Sequence, residues 1–137
     1  MRLPPYVKPT PFLLKWVPRG ITFYKLIFLR KDIYDDLLSK CPTYENVGIL
    51  LHEQTHRKRM GRDLLTGVKH GIKFWLNPNF RAQEELAADR VRFSYLKKNR
   101  VEFDFNKRAR DLAGIRYLWC MSFPKAKREL EKVWEEI

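Results

Sequence analysis

The chain of 137 residues is about one domain long, and its 45% hydrophobic and 14% aromatic content is enough for a packed core. The 28 Lys and Arg against 16 Asp and Glu give a formal net charge of +12, which favours nucleic acid, an anionic membrane or an acidic protein without choosing among them. No run approaches the roughly 18 apolar residues of a membrane span, the proline-rich start lacks a signal-peptide apolar region, and Cys41 and Cys120 suggest no disulfide framework, so a soluble, cytoplasmic chain in a reducing compartment is expected.

Residues 1–20 carry Pro4, Pro5, Pro9, Pro11 and Pro18 and read as an extended arm. A short strand is predicted over Phe12–Val17, with Arg19-Gly20 near the turn that follows. The β-branched and aromatic run from Ile21 to Arg30 predicts a strand covered in part on both faces. Pro42-Thr43 suits a helix start, Val47, Leu50 and Leu51 supply its apolar side, and Gly61 ends it. After an apolar and basic segment, Leu64 to Leu76, Asn77-Pro78 reads as a cap and first turn of a helix running to about Lys98. Asn106 is the expected cap of the next helix, with Leu112, Ile115, Leu118 and Trp119 inward. Ser122 is the expected cap of the last, where Leu130, Val133, Trp134 and Ile137 recur at helical spacing. The pattern predicts a single mainly helical α+β domain over residues 21–137, with a short sheet near its N-terminus.

The chemistry lies in His52-Glu53-Gln54-Thr55-His56, inside the predicted helix. Residues four apart share a helical face, so His52 and His56 can hold one metal ion, with Glu53 placed to take a proton from an activated water. A catalytic zinc usually has three protein ligands. The third is either His70, the one remaining histidine, or a carboxylate, of which Glu85 is the best placed. Asp89 lies four residues on and points the same way, as a partner for the outer ring nitrogen of a ligating histidine. Small Ala87 and Ala88 would let the two helices approach closely, and Glu84, about 100° around the helix from Glu85, is assigned to the surface.

His52-Glu53-Gln54-Thr55-His56 followed by Glu85-Leu86-Ala87-Ala88-Asp89 resembles the H-E-x-x-H plus E-x-x-x-D pattern of the gluzincin metallopeptidases, a group that includes thermolysin, the membrane CAAX-processing peptidases and the short soluble minigluzincins. The resemblance covers roughly residues 20 to 98. It implies a zincin-like domain in which the two motif helices face each other across Zn2+ held by His52, His56 and Glu85, with Glu53 as general base and acid and Asp89 orienting a zinc histidine. It also implies a peptide or protein substrate held along an edge strand, for which Ile21–Leu29 is the match. Many members add a downstream His or Tyr to steady the oxyanion. Here no His follows Glu85, and Tyr95, Arg116 and Tyr117 are the candidates.

A rival resemblance rests on His70-Gly71-Ile72-Lys73-Phe74, which looks like the H-G-x-x-[FW] segment supplying the third histidine of SprT-type metalloproteases. It implies His70 as the metal ligand and DNA as a partner, which suits the charge of +12. A third reading is a non-catalytic module that binds zinc or uses its basic surface. The basic stretch around Lys97–Arg100 and Lys107–Arg110, with Phe93, Tyr95, Phe103 and Phe105, is read as core aromatics with a solvated rim, and Trp16, Trp75, Trp119 and Trp134 as core.

Overall fold

The computed structural model describes residues 1–11 and 19–137, and its sheet has three strands among them: β1 (Val7–Pro9), β2 (Gly20–Phe23) and β3 (Leu26–Leu29). Their order is β1-β3-β2, with β1 parallel and β2 antiparallel to the central β3. The expected strand over Phe12–Val17 lies outside the described residues. What reads in sequence as one strand from Ile21 to Arg30 is a hairpin, because Phe23 pairs with Leu26 across a turn at Tyr24-Lys25. Tyr24 adopts φ 54, a left-handed conformation that a non-glycine residue enters at some cost. No Gly, Asn or Asp marks this turn, so the apolar run conceals it. The proline-rich lead-in is also not wholly irregular: Val7, Lys8 and Pro9 run beside Ile27, Phe28 and Leu29, and Val7 is buried.

Six helices are described: α1 (Lys31–Leu38), α2 (Tyr44–Arg59), α3 (Leu64–Leu76), α4 (Pro78–Lys98), α5 (Phe105–Leu112) and α6 (Phe123–Glu135). The fold is therefore mainly helical α+β, as expected. α1 has no counterpart in the sequence reading, and the segment Leu64 to Leu76 is a full helix. Asp63 caps α3 by accepting from the Thr66 amide, and Asn77 caps α4 by accepting from Phe80. Asp104, not Asn106, caps α5, through the Lys107 amide. Caps of this kind are worth about 1 kcal/mol each.

Two cores flank α4. Val7, Ile27, Leu29, Ile33, Leu37, Ile49 and Leu50 join the sheet to α1 and α2. Phe93, Ala109, Leu112, Ala126, Leu130 and Val133 join α4 to α5 and α6, with Phe103, Phe105 and Trp134 packed against them. Phe93 stands edge-on to Phe103 at 4.5 Å and to Trp134 at 5.5 Å between ring centres. Each such buried side chain contributes roughly 1.5–3 kcal/mol relative to exposure. The aromatics 93, 103 and 105 are thus core. Trp75 and Trp119 are not: both are exposed, as is Ile115. α5 stops at Leu112, a single 3-10 turn spans Ile115–Tyr117, and Leu118 and Trp119 take left-handed backbone angles, so the helical periodicity expected there is broken.

Candidate metal centre

α2 and α4 pack directly on each other and carry the histidines and the acidic residues on their facing sides. Gly48 helps set that approach, since a methyl group there would meet Cγ of Arg92 at 3.2 Å. Between the helices His52, His56 and Glu85 are all buried and each offers a ligand atom to a common point. Nε2 of His52 and Nε2 of His56 are 3.1 Å apart, and each lies 3.3 Å from an oxygen of Glu85. Ligands at about 2.0–2.1 Å in a tetrahedron stand about 3.3–3.4 Å from one another. The imidazole nitrogens lie close to such a spacing from each other and each from a different Glu85 oxygen, and one ligand atom from each residue falls within 4.8 Å of the others, so the group could hold a metal ion.

Asp89 is fully buried behind this triangle, with Oδ1 3.0 Å from Nδ1 of His52, close but not aligned as a full hydrogen bond. Burial opposes charge on His52, but Asp89 and Glu85 outweigh it and raise its pKa from 6.5 to about 9. Burial likewise opposes charge on Asp89, yet Arg108 and His52 bring it down to about 2. Glu85 is held well below the usual carboxylate range against its own burial by His56 and His52.

Arg108, placed on a solvated rim by the sequence reading, is buried at the site instead. Its buried guanidinium enters from α5, donating Nε to Oδ2 of Asp89 at 2.7 Å and Nη2 to Oε2 of Glu85 at 2.8 Å. One of three basic residues in a polar eight-residue helix, Arg108 has no spacing signal that sets it apart from Lys107 and Arg110. Arg92 was missed in the same way. It is buried, stacks at 4.9 Å on Phe103, and its Nε has no hydrogen-bond partner among the described residues. Burial, opposed by Asp89 and helped by Arg108 and Arg19, lowers its pKa to about 10.

Glu53 is buried beside His52 and faces the sheet. The Thr22 hydroxyl of β2 stands 2.7 Å from Oε2 and 3.0 Å from the Glu53 carbonyl, and its single proton serves one at a time. Gly20 makes this proximity possible: a Cβ there would sit 3.0 Å from Glu53 Cγ and 3.1 Å from Oε1. A cleft of about 90 Å³ opens here, bringing His52, Glu53 and Tyr117 together with Arg19, Arg92, Lys107, Arg108 and Arg116. Burial pushes the Tyr117 phenol upward, against Arg108 and with help from Glu85 and Glu53, so it remains a hydroxyl donor. Of the three oxyanion candidates, Tyr117 and Arg116 line the cleft. Tyr95 does not, and packs against Tyr44.

His70 is held elsewhere. It lies on α3 with Nε2 3.1 Å from Oε2 of Glu84 and its ring edge-on to Phe80. The placing of Glu84 at the surface is wrong: it is almost fully buried and accepts from Nε and Nη2 of Arg59 at 2.8 and 2.7 Å. Because α3 folds over this part of α4, the flank beside Glu85 is interior. Neither cysteine is paired, and among the described residues no helix is long and apolar enough to cross a membrane. Comparison with protein-family models, with curated proteins and with solved structures gave no significant match.

Proposed function

We propose that the chain is a zinc-dependent metallopeptidase of gluzincin type. The observation that carries this reading is the buried triangle of His52, His56 and Glu85, with the imidazole nitrogens 3.1 Å apart, each 3.3 Å from a different Glu85 oxygen, and Glu53 on the adjoining cleft. Two imidazoles and a carboxylate suit zinc in a catalytic site, where a position stays open. Bound there, the ion would supply Lewis acidity toward water and a substrate carbonyl.

The chain's own groups perform the rest. Glu53 takes the proton of the attacking water and returns it to the departing amine. Thr22 holds that carboxylate toward the cleft, and Tyr117 donates its hydroxyl to the developing oxyanion. β2 is an edge strand whose outer side faces no described strand, and its Gly20 and Thr22 lie against Glu53. A peptide added to that edge would run past the general base. Beside Arg108, which is engaged by Asp89 and Glu85, the cleft carries Arg19, Arg92, Lys107 and Arg116 against Glu53 and Asp111, an excess of positive charge that favours substrates with an acidic residue near the scissile bond.

A second reading has one observation behind it: Arg108 already compensates Glu85, so the polar cluster is self-sufficient as a non-catalytic module. The two readings separate on metal content and peptide cleavage, measured on wild type, Glu85→Ala, His70→Ala and Glu53→Gln. Zinc near one equivalent that falls with Glu85→Ala and survives His70→Ala supports the gluzincin site. Loss with His70→Ala alone favours the SprT-like arrangement. Zinc without cleavage of any peptide in a broad library favours the module.

A further inference from the structure

α3 is turned inside out. It contains no fully buried residue, and its apolar side chains point away from the protein: Leu64, Leu65, Val68, Ile72, Trp75 and Leu76 are 64, 64, 49, 55, 67 and 79% exposed. At about 100° per residue these six span an arc of roughly 120°. Lys69 and Lys73 follow on one edge of that arc, while His70 and Phe74 lie opposite it and face the fold. Gly67 seats the Tyr24 ring, where a Cβ would meet it at 3.0 Å, and so ties the helix to a hairpin tip that carries exposed Phe23 and Lys25. An exposed apolar face of this extent, with a tryptophan toward its C-terminal end, marks an interaction surface.

Charge selects the occupant. Of the seven Lys and Arg between His56 and Gln83, Arg81 is buried and Arg59 is paired with Glu84, which leaves Arg57, Lys58, Arg62, Lys69 and Lys73 against one carboxylate, Asp63, itself taken up in capping α3. A second copy is disfavoured, because apposing two such faces would bring the lysine edges of two chains of net charge +12 together. A basic helix with Leu, Ile and Trp on one face, too short to span a bilayer, has the make-up of a segment that lies in the membrane interface.

We propose that α3 docks this protein onto the surface of an anionic lipid bilayer, with Trp75, Ile72 and Leu76 entering the headgroup boundary. The inference does not depend on the peptidase reading. The test is flotation of the full chain with vesicles of phosphatidylcholine alone and with 30% phosphatidylserine added, about a third of the lipid, a range in which surface charge is strong. Wild type is expected to float with the anionic vesicles. Ile72→Ser with Trp75→Ser, and separately Lys69→Glu with Lys73→Glu, should each weaken binding at least about tenfold. All four positions are exposed, so folding is expected to survive, and circular dichroism checks that it does. Failure of wild type to float overturns the proposal. So does binding that the Ile72/Trp75 pair leaves unchanged, which would trace to net charge alone. A dimer in sedimentation that the same pair dissolves would show that a second copy covers the face.

Discussion

Arg108 donates to the same oxygen of Glu85 that faces His52: Nη2 lies 2.8 Å from Oε2, and Nε2 of His52 lies 3.3 Å from it. The carboxylate is shared between a fixed cation and the metal-binding triangle. Any metal held by the triangle would therefore be coupled to the stability of the polar core.

Replacing Arg108 by Met would leave Asp89 buried with its main counter-charge gone and Glu85 without its guanidinium hydrogen bond. Removing one partner of a buried pair costs about 3–5 kcal/mol. Chemical denaturation of the metal-free protein should show a loss of that order, and saturating zinc should recover part of it by binding only the folded state.

Asp89→Asn keeps the shape of the side chain but removes the charge behind His52. Zinc affinity should fall 10–100-fold, by about the amount seen when a partner of a ligating histidine is lost. Competition with a zinc chelator measures it, and an unchanged affinity would show that Asp89 does not act through His52.

Glu53→Gln should retain zinc and lower peptide cleavage by about 10²–10⁴-fold, the scale of a lost general base. Gly20→Ala should act in the same direction more weakly, because the new methyl group crowds Glu53. Metal analysis beside single-peptide kinetics checks both.

Metal-free protein should lose stability as pH rises from about 6.5 to 9. His52 is raised from 6.5 to about 9 in the fold, so its contribution is complete below the lower value and is lost as pH climbs through the upper one. Asp89 has the opposite sign: lowered from 3.8 to about 2, it contributes above 3.8 and stops contributing as pH falls through 2. Melting temperatures in chelator from about pH 2 to pH 9 test both. Because zinc needs His52 deprotonated, its uptake near neutral pH should release protons.

Peptides with Glu beside the scissile bond should be cut faster than their Gln counterparts, with the difference shrinking as salt rises. Arg116→Gln, at the exposed rim of the cleft, should narrow the gap by reducing substrate affinity. Equal rates for the two peptides at low salt would remove any role for the cations in selecting substrate.

The triangle was legible because its parts obey helical spacing: His52 and His56 on one face, Glu85 and Asp89 on another, each on a helix whose start was marked by Thr43 or Asn77. What escaped has physical reasons. The buried side of α4 runs Arg81, Glu84, Glu85, Ala88, Asp89, Arg92, so charge rather than hydrophobicity lines the interior and periodicity points the wrong way. Glu84 looked like surface because nothing in the sequence says that α3 folds over it. On α3 the apolar residues that signal a core face are the ones left in solvent. The Tyr24-Lys25 turn lacks the residues that turns usually need, so two strands read as one.

Arg108 also has a bearing on how the protein is made. It follows His56 by 52 residues and Glu85 by 23. At about 5–20 residues per second, a ribosome reaches it roughly 3–10 s after completing the histidine pair. Over the last 19 residues of that span, about 1–4 s, the nascent chain holds His52, His56, Glu85 and Asp89 without the Arg108 guanidinium that donates to both carboxylates. On the proposed metal-site reading, a divalent cation captured in that interval would supply counter-charge before α5 docks, so the order of the two events becomes a matter of timing during synthesis.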